Sequence, residues 1–465
     1  MVSLRGWTLG SGRSGIFRNL TQGNIWTGGK DILVTNVFNA VPKGNRFHSH
    51  AIGYISEGKE LIPAELSDWN DANRILYLGE ENYYSEEMTR KQSCIRMLQG
   101  LYLGESLVVF DGDGSLYKLY RKYLSIINID EYTVKRIDLS NPADSDGWNV
   151  LRAACTPVDK KFYWAPTDRE SAVSHFVKTV TEYAGLVDSG ICTFEYEREW
   201  MESIINYVLL ENNGRSASLI ELVRSVQNPV ADIREKLQQK GLFPKRIMFN
   251  NLPEEVLETA QRNIQYCLSM LSDNVLLERL SKEDLDFSLP FHERCIYFVT
   301  IPEEKGLFLD LFCQELIKAG RMYFTDHAEP YGKEQNGSFT IPVHLLFNCP
   351  MPKHLFSVME RYITEFLPYV GNLSVSFFYK SIREIPWYAT RCFRTFVFMN
   401  IDDQETGEYA SDILYNNGQN DGIRYMRPIE IRKSLFDCNI AVVRGKGCFF
   451  VKPISLDEIF AENRG

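Results

Sequence analysis

Two carboxylates stand at the end of an apolar run, in the sequence Leu-Val-Val-Phe-Asp-Gly-Asp-Gly-Ser that begins at Leu107. One residue separates Asp111 from Asp113, and Gly114 follows them. Carboxylates in this position can bind Mg²⁺, act as a nucleophile or exchange a proton with a substrate. These residue types therefore point to phosphate chemistry or to a degenerate form of it.

The elements around these carboxylates follow the pattern of a parallel α/β sheet. Short apolar runs predict strands at 75–79, 106–111 and 132–139, and longer amphipathic runs predict helices at 85–102 and 115–127. Strands that alternate with helices are typical of a parallel sheet. The carboxyl ends of such strands meet at one edge, where open α/β sheets bind their ligands.

The pattern changes in the middle of the chain and then returns. Residues 156–292 are almost entirely helical in pattern and predict an all-α insertion domain. Strand signals reappear beyond that block, so 74–155 and 293–465 are predicted to form one α/β domain. The glycine-rich, asparagine-rich segment 1–73 is predicted to be irregular, with one strand candidate at 32–38. The strands and helices predicted after the insertion lie at 295–302, 306–324, 340–350, 353–366, 373–381 and 392–401.

Composition limits the classes of protein and of partner. The chain has 465 residues, 44% of them hydrophobic, and a net charge of −10. That charge opposes an electrostatic hold on nucleic acid over the whole surface, although a local basic face could exist. The ten cysteines form no C-x-x-C pair, so they indicate buried thiols in a reducing compartment rather than disulfides or a metal site. No apolar run approaches the roughly 20 residues of a membrane helix, and the N-terminus lacks the apolar core of a signal peptide, which predicts a cytoplasmic protein.

A polar turn, Asn-Pro-Ala-Asp-Ser-Asp-Gly-Trp-Asn, ends at Asn149, shortly after the third predicted strand. The strand that ends in Asp-Gly-Asp-Gly, followed by this turn, resembles the TraG/TraD-type conjugative coupling proteins, the DNA-pumping ATPases of type IV secretion. In that family a strand ends in Asp-Pro-Lys-Gly-Glu-Leu-Tyr, and a later strand precedes a turn close to Asp-Pro-x-x-Ser-Asp-Gly-Trp-Asn-Pro. The residues of this chain that match the family turn are Asp144, Ser145, Asp146, Gly147, Trp148 and Asn149.

The resemblance covers roughly residues 74–457. It implies a RecA-like sheet of the P-loop NTPase type, mostly parallel and split by an all-α domain that touches DNA in the family. It also implies protein partners, namely an active coupling ATPase or other secretion components. Such a partner could recruit this chain to the inner face of the cell membrane, while DNA could bind through the helical domain.

The resemblance fails at the residues that would bind nucleotide. A P-loop needs G-x-x-x-x-G-K-[ST], because glycines let backbone N–H groups close on phosphate and lysine neutralises it. Counted from Gly79, the last three positions hold Tyr84, Ser85 and Glu86. Each glutamate of this loop would repel a phosphate charge by about 3 kcal/mol at about 5 Å and an effective dielectric near 20.

Two further motifs also differ from the family at their charged residues. Where the family has Asp-Pro-Lys-Gly-Glu, this chain places Asp113 at the lysine position. The strand that should end in Asp-Glu for Mg²⁺ and water ends in Asn348 and Cys349 instead. We therefore expect a catalytically degenerate coupling protein with no catalytic residue, cofactor or metal, acting as an accessory or adaptor. The vestigial nucleotide pocket comprises Gly79, Tyr84, Ser85, Glu86, Asp111, Asp113, Gly114 and Asn348.

An enzymatic alternative stays open at this point. The run ending at Asp111 also resembles the first motif of haloacid-dehalogenase-type phosphatases, in which Asp111 would be the nucleophile and Asp113 the acid–base, with Mg²⁺. Thr300 and the pair Asp402 and Asp403 could then supply that family's later motifs. The spacing is long, and this alternative leaves the turn 144–149 unexplained.

Overall fold

The computed structural model contains a nine-stranded sheet, and a separate two-stranded hairpin precedes it in the sequence. The strands of the large sheet lie in the order β11-β10-β9-β3-β8-β7-β4-β6-β5. The structure describes residues 51–57, 60–66, 73–79, 88–123, 131–154, 169–183, 194–212, 217–244, 252–271, 273–327, 339–349, 372–401, 403–417, 428–429, 431, 439–445 and 447–453. The strands are β1 Ala51–Glu57, β2 Glu60–Glu65, β3 Arg74–Leu78, β4 Ser106–Asp111, β5 Thr133–Asp138, β6 Cys295–Thr300, β7 Val343–Asn348, β8 Leu373–Tyr379, β9 Thr395–Phe398, β10 Asn439–Val443 and β11 Gly447–Val451.

Seven neighbouring strands of this sheet, from β9 to β5, run in the same direction. The pairs from β9 to β6 are parallel. The edge strand β5 follows β6 in the same sense, since Thr133 N–H donates to the carbonyl of Arg294 and Leu139 N–H to that of Thr300. Only β10 and β11 are antiparallel in this sheet. The six strands predicted from 75–139 and 295–381 therefore lie side by side, which confirms that the α/β sheet resumes after the helical block.

The apolar runs form inner strands because both faces of the sheet are covered. Every residue of β4, β6 and β8 is buried, the pattern of parallel strands packed between two layers. Phe110, Phe347 and Phe377 stand on one rung of β4, β7 and β8, and their neighbouring ring centroids are 4.2 and 4.6 Å apart. These stacked rings fix the register of the three strands.

Helix α1 (Met88–Tyr102) follows β3, and α2 (Ser115–Tyr123) follows β4. Both helices pack against the sheet through a core that includes Met97, Leu107 and Phe298. Inside this core, the fully buried Arg96 of α1 donates from Nε to the Ser376 hydroxyl of β8, 3.2 Å away. The ring of His344 on β7 lies 3.1 Å from the same hydroxyl. Buried polar groups that satisfy one another in this way hold a helix in a unique position.

The chain divides into two compact units at 134/135, 288/289, 299/300 and 327/328, so that the divisions fall within β5 and β6. The second unit holds helices α3 Arg169–Tyr183, α4 Phe194–Glu211, α5 Leu219–Val226, α6 Val230–Gln239, α7 Glu254–Cys267, α8 Asn274–Arg279 and α9 Gly306–His327. The domain bounds 1–73, 74–155 with 293–465, and 156–292 stay a prediction.

Several elements differ from the sequence prediction. Within the helical block, a continuous helical pattern from 253 to 280 is divided into α7 and α8 by a 3₁₀ turn at Ser269–Leu271. The Asp273 carboxylate caps α8. The segment predicted to be irregular contains the antiparallel β1–β2 hairpin. Helix α10 (Gln404–Asn417) was not predicted. The strand candidate at 32–38 and the helix at 353–366 lie outside the described residues.

No helix in the described part of the chain is both long enough and apolar enough to cross a membrane.

Candidate functional site

Asp111 ends β4 at the carboxyl edge of the sheet, and its side chain is fully buried. The carboxylate Oδ2 accepts the backbone N–H groups of Leu116, at 2.8 Å, and of Tyr117, at 3.1 Å. These groups belong to the first turn of α2, where N–H groups lack partners within the helix. Asp111 therefore ties the start of α2 to the end of β4, which is a structural role.

The charge on Asp111 is suppressed by its surroundings. Burial raises the pKa of the Asp111 carboxyl to about 7, the negative charge of Asp113 adds to the rise, and the N–H groups of Tyr117 and Leu116 oppose it. Burial also acts on Asp113, but the Ser115 hydroxyl and N–H and the Arg90 guanidinium outweigh it and lower the pKa of that carboxyl. Asp111 can thus hold a proton near neutral pH beside an ionised Asp113.

The phosphate loop counted from Gly79 to Glu86 contains no lysine or arginine, but an arginine follows it four residues later. Arg90, in the first turn of α1, donates from a terminal guanidinium nitrogen to Asp113 Oδ2 at 3.0 Å. The other oxygen of Asp113 accepts the Ser115 N–H at 2.9 Å. A positive charge at the start of the helix after β3 is therefore present, but it is bound by the acid that replaces the family's lysine.

Asn348 pairs with Asp111 across β7 and β4, as the predicted pocket requires. The next residue, Cys349, is buried, and a Cβ added to Gly112 would lie 2.9 Å from the Cys349 Cβ. Burial, followed by the charge of Asp111, raises the pKa of the Cys349 thiol to about 12. The end of β7 therefore offers a neutral amide and a neutral thiol, and neither can take the part of a metal-binding carboxylate.

Gly79 lies at the same carboxyl edge, but packing explains it without a phosphate. Its N–H donates to the Tyr379 carbonyl at 3.0 Å. A Cβ added at Gly79 would stand 2.7 Å from the Cβ of Met399, closer than real Cβ contacts. Glycine is thus needed for the close approach of the chain that follows β9. Tyr84, Ser85 and Glu86 lie outside the described residues.

The described residues of this edge offer no site for a magnesium ion. Among the described residues no group of three or more His, Cys, Asp or Glu side chains could hold a metal ion. The one carboxylate on β4 is buried and caps a helix, and the end of β7 carries no acid. The guanidinium of Arg90 already forms an ion pair with Asp113.

The turn at 144–149 belongs to the second unit and is held by hydrogen bonds of its polar side chains. Asn141 donates from its amide to Asp144 at 2.7 Å. The Ser145 hydroxyl accepts the Asp138 N–H at 2.9 Å, and Asp146 Oδ2 accepts the Arg136 N–H at 2.7 Å. The polar residues of this turn therefore close the chain back onto the end of β5.

The other half of the turn connects to the helices. The Gly147 N–H donates to Asp284 at 3.0 Å, and the Asn149 amide donates to the Ala217 carbonyl at 2.7 Å. Trp148 is 2% exposed and packs edge-on against Phe312, with ring centroids 5.5 Å apart. Trp148 thus makes the turn part of the packed interior of its unit, and the turn does not share a unit with Asp111.

Comparison with known proteins gives structural matches only. No protein-family model and no curated protein matches the sequence. The bacterial conjugative coupling protein TrwB, in complex with the non-hydrolysable GTP analogue GDPNP, matches with a TM-score of 0.55 and 13% identity, over 90% of this chain and 96% of that one. TrwBdeltaN70 in its unbound monoclinic form matches with a TM-score of 0.51 and 14% identity, over 82% and 85%.

The chain has the fold of TrwB, a TraG/TraD-type coupling protein. The TrwB fold is α/β, with a mostly parallel RecA-like sheet, as the resemblance of the two sequence motifs implied. Identity of 13–14% shows the fold alone. A further TrwB structure, with 84% of this chain matched, contains ADP and Mg²⁺. That nucleotide is reported for TrwB and not for this chain.

The phosphatase alternative does not fit this geometry. Its nucleophile, Asp111, is buried and caps α2. Its Mg²⁺ ligand candidate Asp403 caps α10, where it accepts the Thr406 N–H at 2.8 Å, and Asp402 lies outside the described residues. Four strand steps separate β4 from β9 in the sheet, roughly 19 Å at about 4.8 Å per step. These carboxylates do not share a site.

Because the Asp111 carboxyl is buried, the effect of Asp111→Asn on stability should depend on pH. The folded pKa of Asp111 is about 7 and its ordinary value is 3.8, so the folded protein retains a proton that the unfolded chain releases as pH rises between them. The contribution of Asp111 to stability is lost across that window, by at most about 4 kcal/mol. Asparagine accepts the same N–H groups without ionising. Thermal unfolding should show the variant more stable than wild type at about pH 8 and no more stable at about pH 4.

Asp113→Asn is the matched control, with the opposite sign. The folded pKa of Asp113 is lowered, so its charge stabilises the protein above its ordinary pKa. This variant should lose stability at high pH. A lower melting temperature for Asp111→Asn than for wild type at about pH 8 would contradict the assignment.

The 144–149 turn predicts a steric effect at Gly147. An added Cβ would lie 2.6 Å from both the Arg279 carbonyl oxygen and the Lys282 Cβ, so Gly147→Ala should lower the free energy of unfolding by about 1–3 kcal/mol. Gly241→Ala is the control, because nothing lies within 4 Å of its added Cβ and its φ is +68°. The free energy of unfolding of Gly241→Ala should fall by only about 1 kcal/mol. Urea unfolding measures both, and equal losses would show that packing at Gly147 is not the cause.

Proposed function

We propose that this chain is a TraG/TraD-type coupling protein of conjugative DNA transfer that does not hydrolyse nucleotide and acts as an accessory or adaptor. The TrwB fold over most of both chains supports the coupling-protein class. The end of β7 supports the loss of catalysis, since Asn348 and Cys349 stand beside Asp111 where Mg²⁺ and the attacking water need acids. This is the observation on which the proposal rests.

The Arg90–Asp113 ion pair also supports the loss of nucleotide binding, for an electrostatic reason. In a P-loop protein, a cation near the start of the helix after the first strand neutralises phosphate. Here the acid on the β4–α2 turn neutralises that charge within the chain at 3.0 Å. A bound polyphosphate would have to displace Asp113 and then face its carboxylate, which opposes binding.

A protein without ATPase activity can still serve transfer through binding. We expect an active coupling ATPase or another secretion component as the partner, and recruitment through it to the inner face of the cell membrane. The helical domain predicted at 156–292 could contact DNA, because its sequence carries Arg215, Arg224, Arg234, Lys236, Lys240, Lys245 and Arg246.

Nucleotide binding tests this proposal directly. We predict no binding of ATP or GTP with Mg²⁺ at millimolar concentration, measured by calorimetry or with a fluorescent analogue. A Kd below about 100 µM, roughly −5.5 kcal/mol, would overturn the proposal. Purified TrwB in the same assay is the positive control, because TrwB structures contain nucleotides.

The purified protein should also fail to hydrolyse p-nitrophenyl phosphate in the presence of Mg²⁺. Hydrolysis that is lost in Asp111→Asn would favour the phosphatase alternative, because that variant removes the only candidate nucleophile and keeps its hydrogen bonds. Hydrolysis that persists in Asp111→Asn would come from a contaminant or from a different site.

A further inference from the structure

The amino edge of the sheet, opposite Asp111, carries a row of arginines. Arg74 begins β3, Arg394 precedes β9, and Arg444 follows the antiparallel β10. Arg394 N–H donates to the Arg74 carbonyl at 3.2 Å, and Arg444 N–H donates to the Arg394 carbonyl at 2.9 Å. Their backbones therefore stand on adjacent strands, within roughly 10 Å of one another.

An exposed tryptophan belongs to the same surface. Trp387 lies in the connection from β8 to β9 and is 71% exposed. The guanidinium of Arg391 covers one face of its ring, 4.9 Å from the centroid. Arg444 joins this connection to the row, since it donates to the Thr390 carbonyl at 3.1 Å. We call Arg74, Trp387, Arg391, Arg394 and Arg444 the arginine surface.

Two arginines of this surface carry a positive charge that no described acidic side chain pairs with. Arg391 and Arg394 are exposed, and neither forms an ion pair with a described residue. Arg383, in the same connection, shows the ordinary arrangement, because Glu405 binds it at 2.8 Å. A chain with a net charge of −10 thus presents a local excess of cations beside an exposed indole.

We propose that the arginine surface binds a short acidic segment of a partner protein. The planar guanidinium matches a carboxylate with two parallel hydrogen bonds, and the uncovered face of Trp387 can take an aliphatic side chain between the carboxylates. Tryptophan and arginine are also the residue types that contribute most to protein interfaces. This inference goes beyond the proposed function, because it uses neither the carboxyl edge nor the loss of catalysis.

The extent of the charge favours an acidic peptide over a nucleic acid. The row spans roughly 10 Å, about one Debye length at physiological salt, which suits two or three carboxylates. A nucleic acid strand would continue past the row over an acidic protein, and its further phosphates would be repelled. Single-stranded DNA is nevertheless a direct competitor in the test, since exposed aromatic rings also stack on bases.

The experiment uses the full chain and three fluorescein-labelled probes in an anisotropy titration. The first is a peptide of alternating glutamate and leucine, the second is the same peptide with glutamine for glutamate, and the third is single-stranded oligothymidylate. We expect binding of the glutamate peptide, weakening with added salt, and much weaker binding of the other two. Failure of the glutamate peptide to bind overturns the proposal.

Variants locate the binding. We expect the affinity for the glutamate peptide to fall by about tenfold or more in each of three variants, Arg391→Glu, Arg394→Glu and Trp387→Ala. This is the loss expected for a charged hydrogen-bonding group or an aromatic contact. Arg262→Glu and Tyr266→Ala are matched controls, an exposed arginine and a 70% exposed aromatic residue on α7, and they should leave the affinity unchanged.

Arg394→Gln removes one charge without reversing it, and it should weaken binding while the melting curve stays that of wild type. Two results overturn the proposal. One is a glutamate-peptide affinity that the arginine-surface variants do not change. The other is tighter binding of oligothymidylate than of the peptide, lost in the same variants, which would make this surface a nucleic-acid interface.

Discussion

Burial of both faces of the parallel strands is the constraint on which the rest of this structure depends. Strands such as β4, β6 and β8 are buried along their whole length, so few polar side chains can stand in their middle. Two of these, Ser376 of β8 and His344 of β7, contact each other, and Arg96 of α1 donates to Ser376, which joins α1 to β7 and β8. Charged chemistry is therefore confined to the two ends of the strands, where the sheet meets its connecting segments.

At the carboxyl edge, the groups that would face a ligand bind one another instead. Asp111 holds the start of α2, Asp113 holds Arg90 of α1, and the chain beyond β9 approaches Gly79. A site that is neutralised from within does not need a phosphate or a metal to complete it. Under the proposed function, these internal contacts would let a chain with the TrwB fold keep this edge folded without bound nucleotide. The fold needs the end of β4 at this edge whether or not the edge is catalytic.

At the amino edge, the same geometry gathers charge that the sequence keeps apart. Arg74, Arg394 and Arg444 come from three distant segments and meet because β3, β9 and β10 are neighbours. The acidic carboxyl edge and the basic amino edge thus differ in kind. At the carboxyl edge the described charges of Arg90 and Asp113 pair with each other, whereas Arg391, Arg394 and Trp387 are exposed near the amino edge.

The sequence by itself determined the parallel strands and the fold class. Continuous apolar runs gave β4 its observed bounds, because a strand buried on both faces has no polar position to interrupt it. The pattern also located the turn 144–149 and the neutral end of β7. It missed the β1–β2 hairpin, α10 and the break between α7 and α8, whose local sequences do not separate strand, helix and turn.

Only the tertiary structure decided how the charges are used. Arg90 and Asp113 are 23 residues apart in the sequence, and their pairing follows from the side-by-side packing of α1 and α2 on the sheet. The raised pKa of Asp111 comes from burial, which no motif records. The arginine row requires the strand order itself. Sequence patterns report local burial and periodicity, whereas these contacts join segments that become neighbours only when the sheet assembles.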